Sequence, residues 1–371
     1  SFHHDFYRSI GDGKKYWVLE QCAELTAFGP DQREIMLQTI ESAARGAEMI
    51  SYFSWRQIYY GCEQDACGGV IENNGEVGET YEILKQTAQW LKTEGSALSK
   101  MHLRNEAAIL YSYESSMIYN SNHMFSDINY AMELYENYYT PLFELGIGVD
   151  FIHGFNTFGQ YKIVMIPLHI LEVEAGITVL ETFVRNGGIA IITGDFMHKS
   201  TDNWRVYGET RDKLNRLLGI AHRNLQFIQG DRVEAVSVAS EETHALHGFF
   251  NVFDILDSAV EVLSQVTYPE MREGTPAAIK REIGKGCMIF LAALPSKDFV
   301  KKLIKQSVSD IDIELLDFPK KVEVIRLYEN GSEKPTAYLA INKRPEPVSL
   351  NILEVTIDVP PGSYKLIKIP K

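Results

Sequence analysis

The chemistry legible in this 371-residue chain begins at Glu20. It follows Tyr16-Trp17-Val18-Leu19 and precedes Gln21, so a carboxylate and an amide stand directly after four apolar or aromatic residues. A short continuous apolar run reads as a strand buried on both faces, as in a parallel sheet. A glutamate at the C-terminal end of such a strand has two readings. It is a solvated strand terminator, as most glutamates are. Or it is a catalytic group held where the loops after the strands of a (β/α)8 barrel build an active site.

The neighbouring elements would position that group. Residues 32–44 carry Ile35, Met36, Ile40, Ala43 and Ala44 at helical spacing. A second buried strand, Met49 to Trp55, then ends in Arg56-Gln57. Strand, helix and strand make a βαβ unit with polar residues at one end. The loop 61–78 follows, rich in Gly, Asn and acids, and then a helix over Thr80–Leu98.

Other reactive residues are weaker signals. Cys22, Cys62, Cys67 and Cys287 are too few and too irregular for a disulfide framework, so a reducing, cytoplasmic setting is expected. The Cys62–Cys67 spacing lacks a second pair, and no metal or other cofactor is expected. His244 and His247 stand three apart without a matching carboxylate and read as part of a polar loop. A net charge of −14 disfavours nucleic acid and anionic membranes as partners. No run of eighteen apolar residues occurs, so no membrane span is expected. Residues 1–10 lack a signal-peptide core, and the chain begins without Met, as a processed or truncated product would.

Beyond residue 102 the pattern changes. Strands at 107–111, 149–152, 161–166 and 189–193 alternate with helices at 130–145, 174–185 and 211–218, which predicts an open parallel sheet. From Lys321 onward, four short strands are broken by Asn330-Gly331 and by Pro345, Pro347, Pro360 and Pro361, which predicts a small antiparallel β domain. The division expected is 1–102, 103–312 and 313–371.

Several motifs occur together in one order. They are Asp5-Phe6-Tyr7-Arg8-Ser9, Trp17-Val18-Leu19-Glu20-Gln21, Ala44-Arg45-Gly46-Ala47-Glu48, Tyr52-Phe53-Ser54-Trp55-Arg56-Gln57 and Gly61-Cys62-Glu63. In these the chain resembles family 42 glycoside hydrolases, the β-galactosidases, over nearly its whole length but only the C-terminal part of theirs. The resemblance implies the last βα units of a (β/α)8 barrel, then a flavodoxin-like, amidotransferase-like α/β trimerisation domain, then a small antiparallel β domain. It implies a retaining hydrolase of terminal β-D-galactosides and a homotrimer. Glu20 falls on the family's nucleophile and Glu63 on the glutamate that contacts the sugar hydroxyls. Phe28 stands where the family has a sugar-stacking Trp, and Cys67 or Ala66 near a family His. Trp55 would back the site. Arg56 would either steady a catalytic carboxylate or pair with a structural acid.

Two departures follow from the same resemblance. A complete barrel takes about 250 residues, and residues 1–102 hold roughly its last quarter. Retaining glycosidases pair a nucleophile with an acid/base carboxyl about 5–5.5 Å away. The family carries that acid/base in an Asn-Glu motif on an earlier strand, and none stands upstream of Glu20. The chain is therefore expected to lack it, with an alternative role as a non-catalytic oligomerisation module. A glutamine amidotransferase needs a cysteine nucleophile on a strand-to-helix elbow. The corresponding stretch here is Thr193-Gly194-Asp195, while Cys287 lies in an apolar run.

Overall fold

The run that carries Glu20 forms a strand, β1 (Tyr16–Cys22), paired in parallel with β2 (Ala47–Phe53). The computed structural model describes residues 1–11, 14–23, 33–64, 68–121, 128–173, 175–228, 233–267, 273–316, 318–352 and 355–369. They fall into two units, Ser1–Arg104 with Leu316–Lys371, and Asn105–Leu315.

In the first unit, β1 and β2 form a sheet of two strands. The expectation that β1 is buried on both faces fails. With a single neighbouring strand, Trp17 and Leu19 keep 59% and 70% of their surface in solvent. Helix α2 (Arg33–Ala44) links the pair and buries Ile35, Leu37, Ile40 and Ala44. Helix α3 (Glu79–Thr93) ends earlier than its apolar spacing predicts. The Glu94 N–H closes it on the carbonyls of Trp90 and Leu91, and Gly95–Leu98 starts a separate turn. Helix α1 (Phe2–Ile10) precedes β1 and was not legible in the sequence pattern.

The C-terminal strands belong to the same unit. Val322–Glu329, Ala337–Asn342 and Ser363–Lys368 pair antiparallel, with the short β3 (Met101–His102) on the outer edge of Val322–Glu329. One face packs Ile325, Leu327, Leu339 and Ile341 against Leu37 and Ile40 of α2. The other packs Val324, Tyr338 and Ala340 against the hairpin of Val348–Ile352 and Val355–Val359. This sheet is thus buried on both sides, and α2 is held between it and the β1–β2 pair.

A buried ion cluster fixes α2. Arg45, directly after the helix, reaches Asp5 of α1 (3.1 Å), Glu41 (3.5 Å) and Glu323 of the C-terminal sheet. Lys343 reaches the second oxygen of Glu41. Arg45, Glu41, Asp5 and Glu323 are all buried. Burial alone would raise the Glu41 carboxyl, but Arg45 and Lys343 outweigh it and hold it well below the usual carboxylate range.

The second unit is built on a ten-stranded mixed sheet. Its parallel half runs β5 (Val149–Ile152), β4 (Ala107–Leu110), β6 (Ile163–Ile166), β7 (Ile189–Thr193) and Gly286–Leu291. In chain order that is 2-1-3-4-5, the order of flavodoxin-like sheets. The four strands β4 to β7 are almost wholly buried, which is why each reads as an unbroken apolar run. The antiparallel half, from Pro276–Ile283 outward to Leu294–Pro295, extends the open parallel sheet that was expected. The helix over Tyr130–Glu144 contains a π-helical stretch at Leu134–Tyr139. His244 and His247 lie in a strand, Thr243–His247, not in a loop. Residues three apart in a strand face opposite sides, so the two rings part. His244 stacks on Phe299 and His247 bonds Glu133 (2.9 Å). Among the described residues, no helix is long and apolar enough to cross a membrane.

Removing one partner of a buried ion cluster leaves uncompensated charge, at a cost of about 3–5 kcal/mol. Arg45→Ala is expected to destabilise the first unit by that amount. Urea unfolding followed by tryptophan fluorescence reads it, because three of the four tryptophans lie in that unit and Trp90 packs on Tyr364 in its core (5.1 Å between centroids).

Candidate active site

Glu20 sits where the β1–β2 ladder slips. Val18 pairs with Ile50 and Gln21 with Tyr52, so β1 spends one more residue than β2 over that interval. The extra residue breaks the strand's alternation, and Leu19 and Glu20 both face solvent. Such bulges re-aim a side chain near the end of a strand. Gln21 faces the other way and donates to Gln38 Oε1 of α2 (2.6 Å), which pins the backbone beside Glu20. Thr39 of α2 and Tyr52 of β2 share a hydroxyl–hydroxyl bond on that same side.

Because β1 and β2 are parallel, both exit at one end. Ala23 N–H donates to Phe53 O there (2.9 Å). The chain leaving β2 carries Trp55, Arg56 and Glu63, all exposed. This loop is internally braced. Val70 N–H bonds Ser54 O (2.9 Å), Ile71 N–H bonds Trp55 O (3.0 Å), and the Gln57 side chain donates to Gln64 O beside Glu63. Gly69 passes so close to Arg56 and Gln57 that any Cβ would lie within 2.6 Å of the Gln57 nitrogen. Trp55 meets Tyr81 of α3 edge to face (6.3 Å between centroids). Arg56 donates to Asn73 O (3.1 Å), so among the described residues its guanidinium meets a main-chain carbonyl and no carboxylate. Phe28, Ala66 and Cys67 lie outside the described residues. Glu20 thus stands at the strand end from which the chain carrying Trp55, Arg56 and Glu63 departs.

The comparisons with known proteins bear on this arrangement. Residues 105–314 match the model of the β-galactosidase trimerisation domain, and residues 1–93 that of the β-galactosidase domain which precedes it. The chain belongs to glycoside hydrolase family 42. The β-galactosidase of Thermus thermophilus is 26% identical over 366 residues, covering 94% of this chain and 50% of that protein. BgaP, a β-galactosidase of a Planococcus species, is 23% identical over 339 residues, covering 88% of this chain and 50% of its own length. The solved β-galactosidase of Bacillus circulans sp. alkalophilus superposes with a TM-score of 0.86 at 20% identity, covering 99% of this family 42 chain and 57% of that one. The chain spans about half the length of the curated relatives it matches.

The second unit holds a polar cluster that the sequence pattern did not isolate. Strand β7 runs into a turn at Gly194–Met197, with no helix behind it, so there is no nucleophile elbow. Asp195 is fully buried, accepting from Tyr119 OH (2.5 Å) and from Thr193 Oγ1. Leu168 N–H donates in turn to Thr193 Oγ1 (2.9 Å). Asn251 Nδ2 donates to Gly194 O (2.6 Å), which fixes its amide orientation, and its Oδ1 faces His222 Nδ1 (2.7 Å). Burial lowers the pKa of both His198 and His222. An Asp two residues past the end of an unbroken apolar strand is the signal that could have marked the cluster.

Burial raises the Asp195 pKa to about 6, against the pull of the Thr193 and Tyr119 hydrogen bonds. The folded state therefore holds the proton more tightly than the unfolded chain. Its stabilising effect is complete below the unfolded pKa of 3.8 and is lost as pH rises through about 6. Two pKa units correspond to roughly 3 kcal/mol. Asp195→Asn is expected to remove that much of the stability difference between pH 3 and pH 7, read by urea unfolding of the whole chain at both values.

Proposed function

We propose that this chain carries the nucleophile-bearing end of a retaining β-galactosidase site. Glu20 attacks the anomeric carbon, and Glu63 orients the hydroxyls of a terminal β-D-galactoside. Phe28 takes the role of the family's sugar-stacking Trp, Trp55 backs the site, and Cys67 takes the sequence position of a family His. Arg56 braces the loop under the sugar through Asn73. The observation that carries this reading is the exposed Glu20 on a bulge, at the same strand end as the loop of Trp55 and Glu63. No Asn-Glu motif stands upstream of Glu20 in these 371 residues, so this reading assigns the acid/base carboxyl to none of them. We read 1–102 as the barrel portion, 103–312 as the trimerisation domain and 313–371 as the β domain, in a cytoplasmic protein that needs no cofactor.

Absence of an acid/base group typically costs about 10²–10⁴ in rate. The 371-residue chain alone is expected to leave a nitrophenyl β-galactoside unhydrolysed. Turnover by mass-verified chain that disappears on Glu20→Gln would overturn the missing acid/base while supporting the nucleophile. In a longer protein that does turn over, full activity of Glu20→Gln would overturn the nucleophile itself.

A second reading treats the chain as a non-catalytic oligomerisation module. It is favoured by the second unit, whose sheet and core are built entirely from Asn105–Leu315. Both readings expect a homotrimer. Light scattering at micromolar concentration should give three times the chain mass. A clean monomer mass would remove the trimer.

A further inference from the structure

Three Asn-Gly steps occur in the chain, at Asn74-Gly75, Asn186-Gly187 and Asn330-Gly331. Asn-Gly is chemically the most reactive of asparagine steps, because a glycine nitrogen is sterically free to attack the preceding side-chain amide. In a folded protein the attack needs two things: a glycine N–H that is not already donating, and an asparagine side chain able to swing onto it.

The structure sets Asn330 apart from Asn74 on both counts and from Asn186 on the first. Gly75 N–H donates to Glu72 O (2.8 Å). The Asn74 side chain is held at both ends, its Nδ2 by Glu76 Oε2 (3.0 Å) and its Oδ1 by Glu76 N–H (2.9 Å). Gly187 N–H donates to Val184 O (3.0 Å) at the end of helix Gly176–Arg185, and Asn186 N–H to Thr182 O (3.2 Å). Asn330-Gly331 differs. It occupies the centre of a turn closed by Ser332 N–H on Glu329 O (3.0 Å), with Gly331 in the left-handed region at φ +82°. Both residues are exposed, and nothing lies within 4 Å of the position a Gly331 Cβ would take. Among the described residues, neither the Gly331 N–H nor the Asn330 amide has a hydrogen-bond partner.

We propose that Asn330 is a site of spontaneous deamidation and isoaspartate formation in the folded protein, ahead of Asn186 and Asn74. The Gly331 nitrogen loses its proton and bonds to Asn330 Cγ. The Cγ–Nδ2 bond breaks, and ammonia leaves with that proton. Water then opens the succinimide at either carbonyl, giving aspartate or isoaspartate. No other reactant is needed. The product adds a carboxylate beside Glu329 and Glu333 and, as isoaspartate, lengthens the main chain by one methylene between Val322–Glu329 and Ala337–Asn342.

The test is peptide mass spectrometry on the whole chain, aged at mildly alkaline pH, folded and in denaturant. Breaking one hydrogen bond at the attacking N–H slows the step by about 2- to 10-fold at the usual net worth of such a bond. In the folded chain Asn330 should therefore convert at least about 2-fold faster than Asn186, with Asn74 slowest, while the three rates converge in denaturant. Asn330→Gln should abolish the folded-state product. Conversion of Asn74 or Asn186 as fast as Asn330 in the folded chain would overturn the proposal. So would a ranking that persists unchanged in denaturant, since local sequence and not the fold would then set it.

Discussion

Arg45 is the contact on which the first unit depends. One guanidinium, buried at the end of α2, meets a carboxylate from α1, one from its own helix and one from a strand nearly three hundred residues later. Such a cluster is tolerable only because every charge is answered, with Lys343 supplying the second cation for Glu41. Its consequence is geometric. It holds α2 at a fixed place on the C-terminal sheet, and α2 in turn carries Gln38 and Thr39, which set the backs of β1 and β2. The position of Glu20 is therefore tied to ionic contacts at the C-terminal end of the helix.

The β1–β2 pair shows what two strands can and cannot do alone. Parallel pairing sends both chains out at one end, and this puts Glu20 at the end where the chain carrying Trp55 and Glu63 leaves the sheet. It also leaves Trp17 and Leu19 in water, since a parallel strand hides both faces only with layers on both sides. The bulge at Leu19–Glu20 resolves the local conflict by letting Gln21 turn inward while the carboxylate turns outward.

The second unit places its polar interior where open α/β sheets bind ligands, beyond the C-terminal ends of the parallel strands. Here that region is filled by the protein itself. Tyr119 and Thr193 satisfy the buried Asp195, and Asn251 bonds His222 and the Gly194 carbonyl beside it. Without an elbow after β7 and with Cys287 buried inside a strand, the amidotransferase-like topology carries no nucleophile at that point.

What the sequence determined by itself is what local pattern can encode. The unbroken apolar runs of β4, β6 and β7 announced a parallel sheet because both their faces are covered. The motifs around Glu20 and Trp55 announced the family. Tertiary structure decided the rest. Alternation could not show the bulge that turns Glu20 outward, because a bulge is a mismatch between two strands and has no period in one. Helical spacing could not end α3 at Thr93, because the Glu94 cap and the turn after it override the apolar pattern. Nor could Asp5, Arg45 and Glu323 be read as one cluster. A charge pattern reports neighbours along a helix, whereas these three meet only when segments distant in the chain share a core.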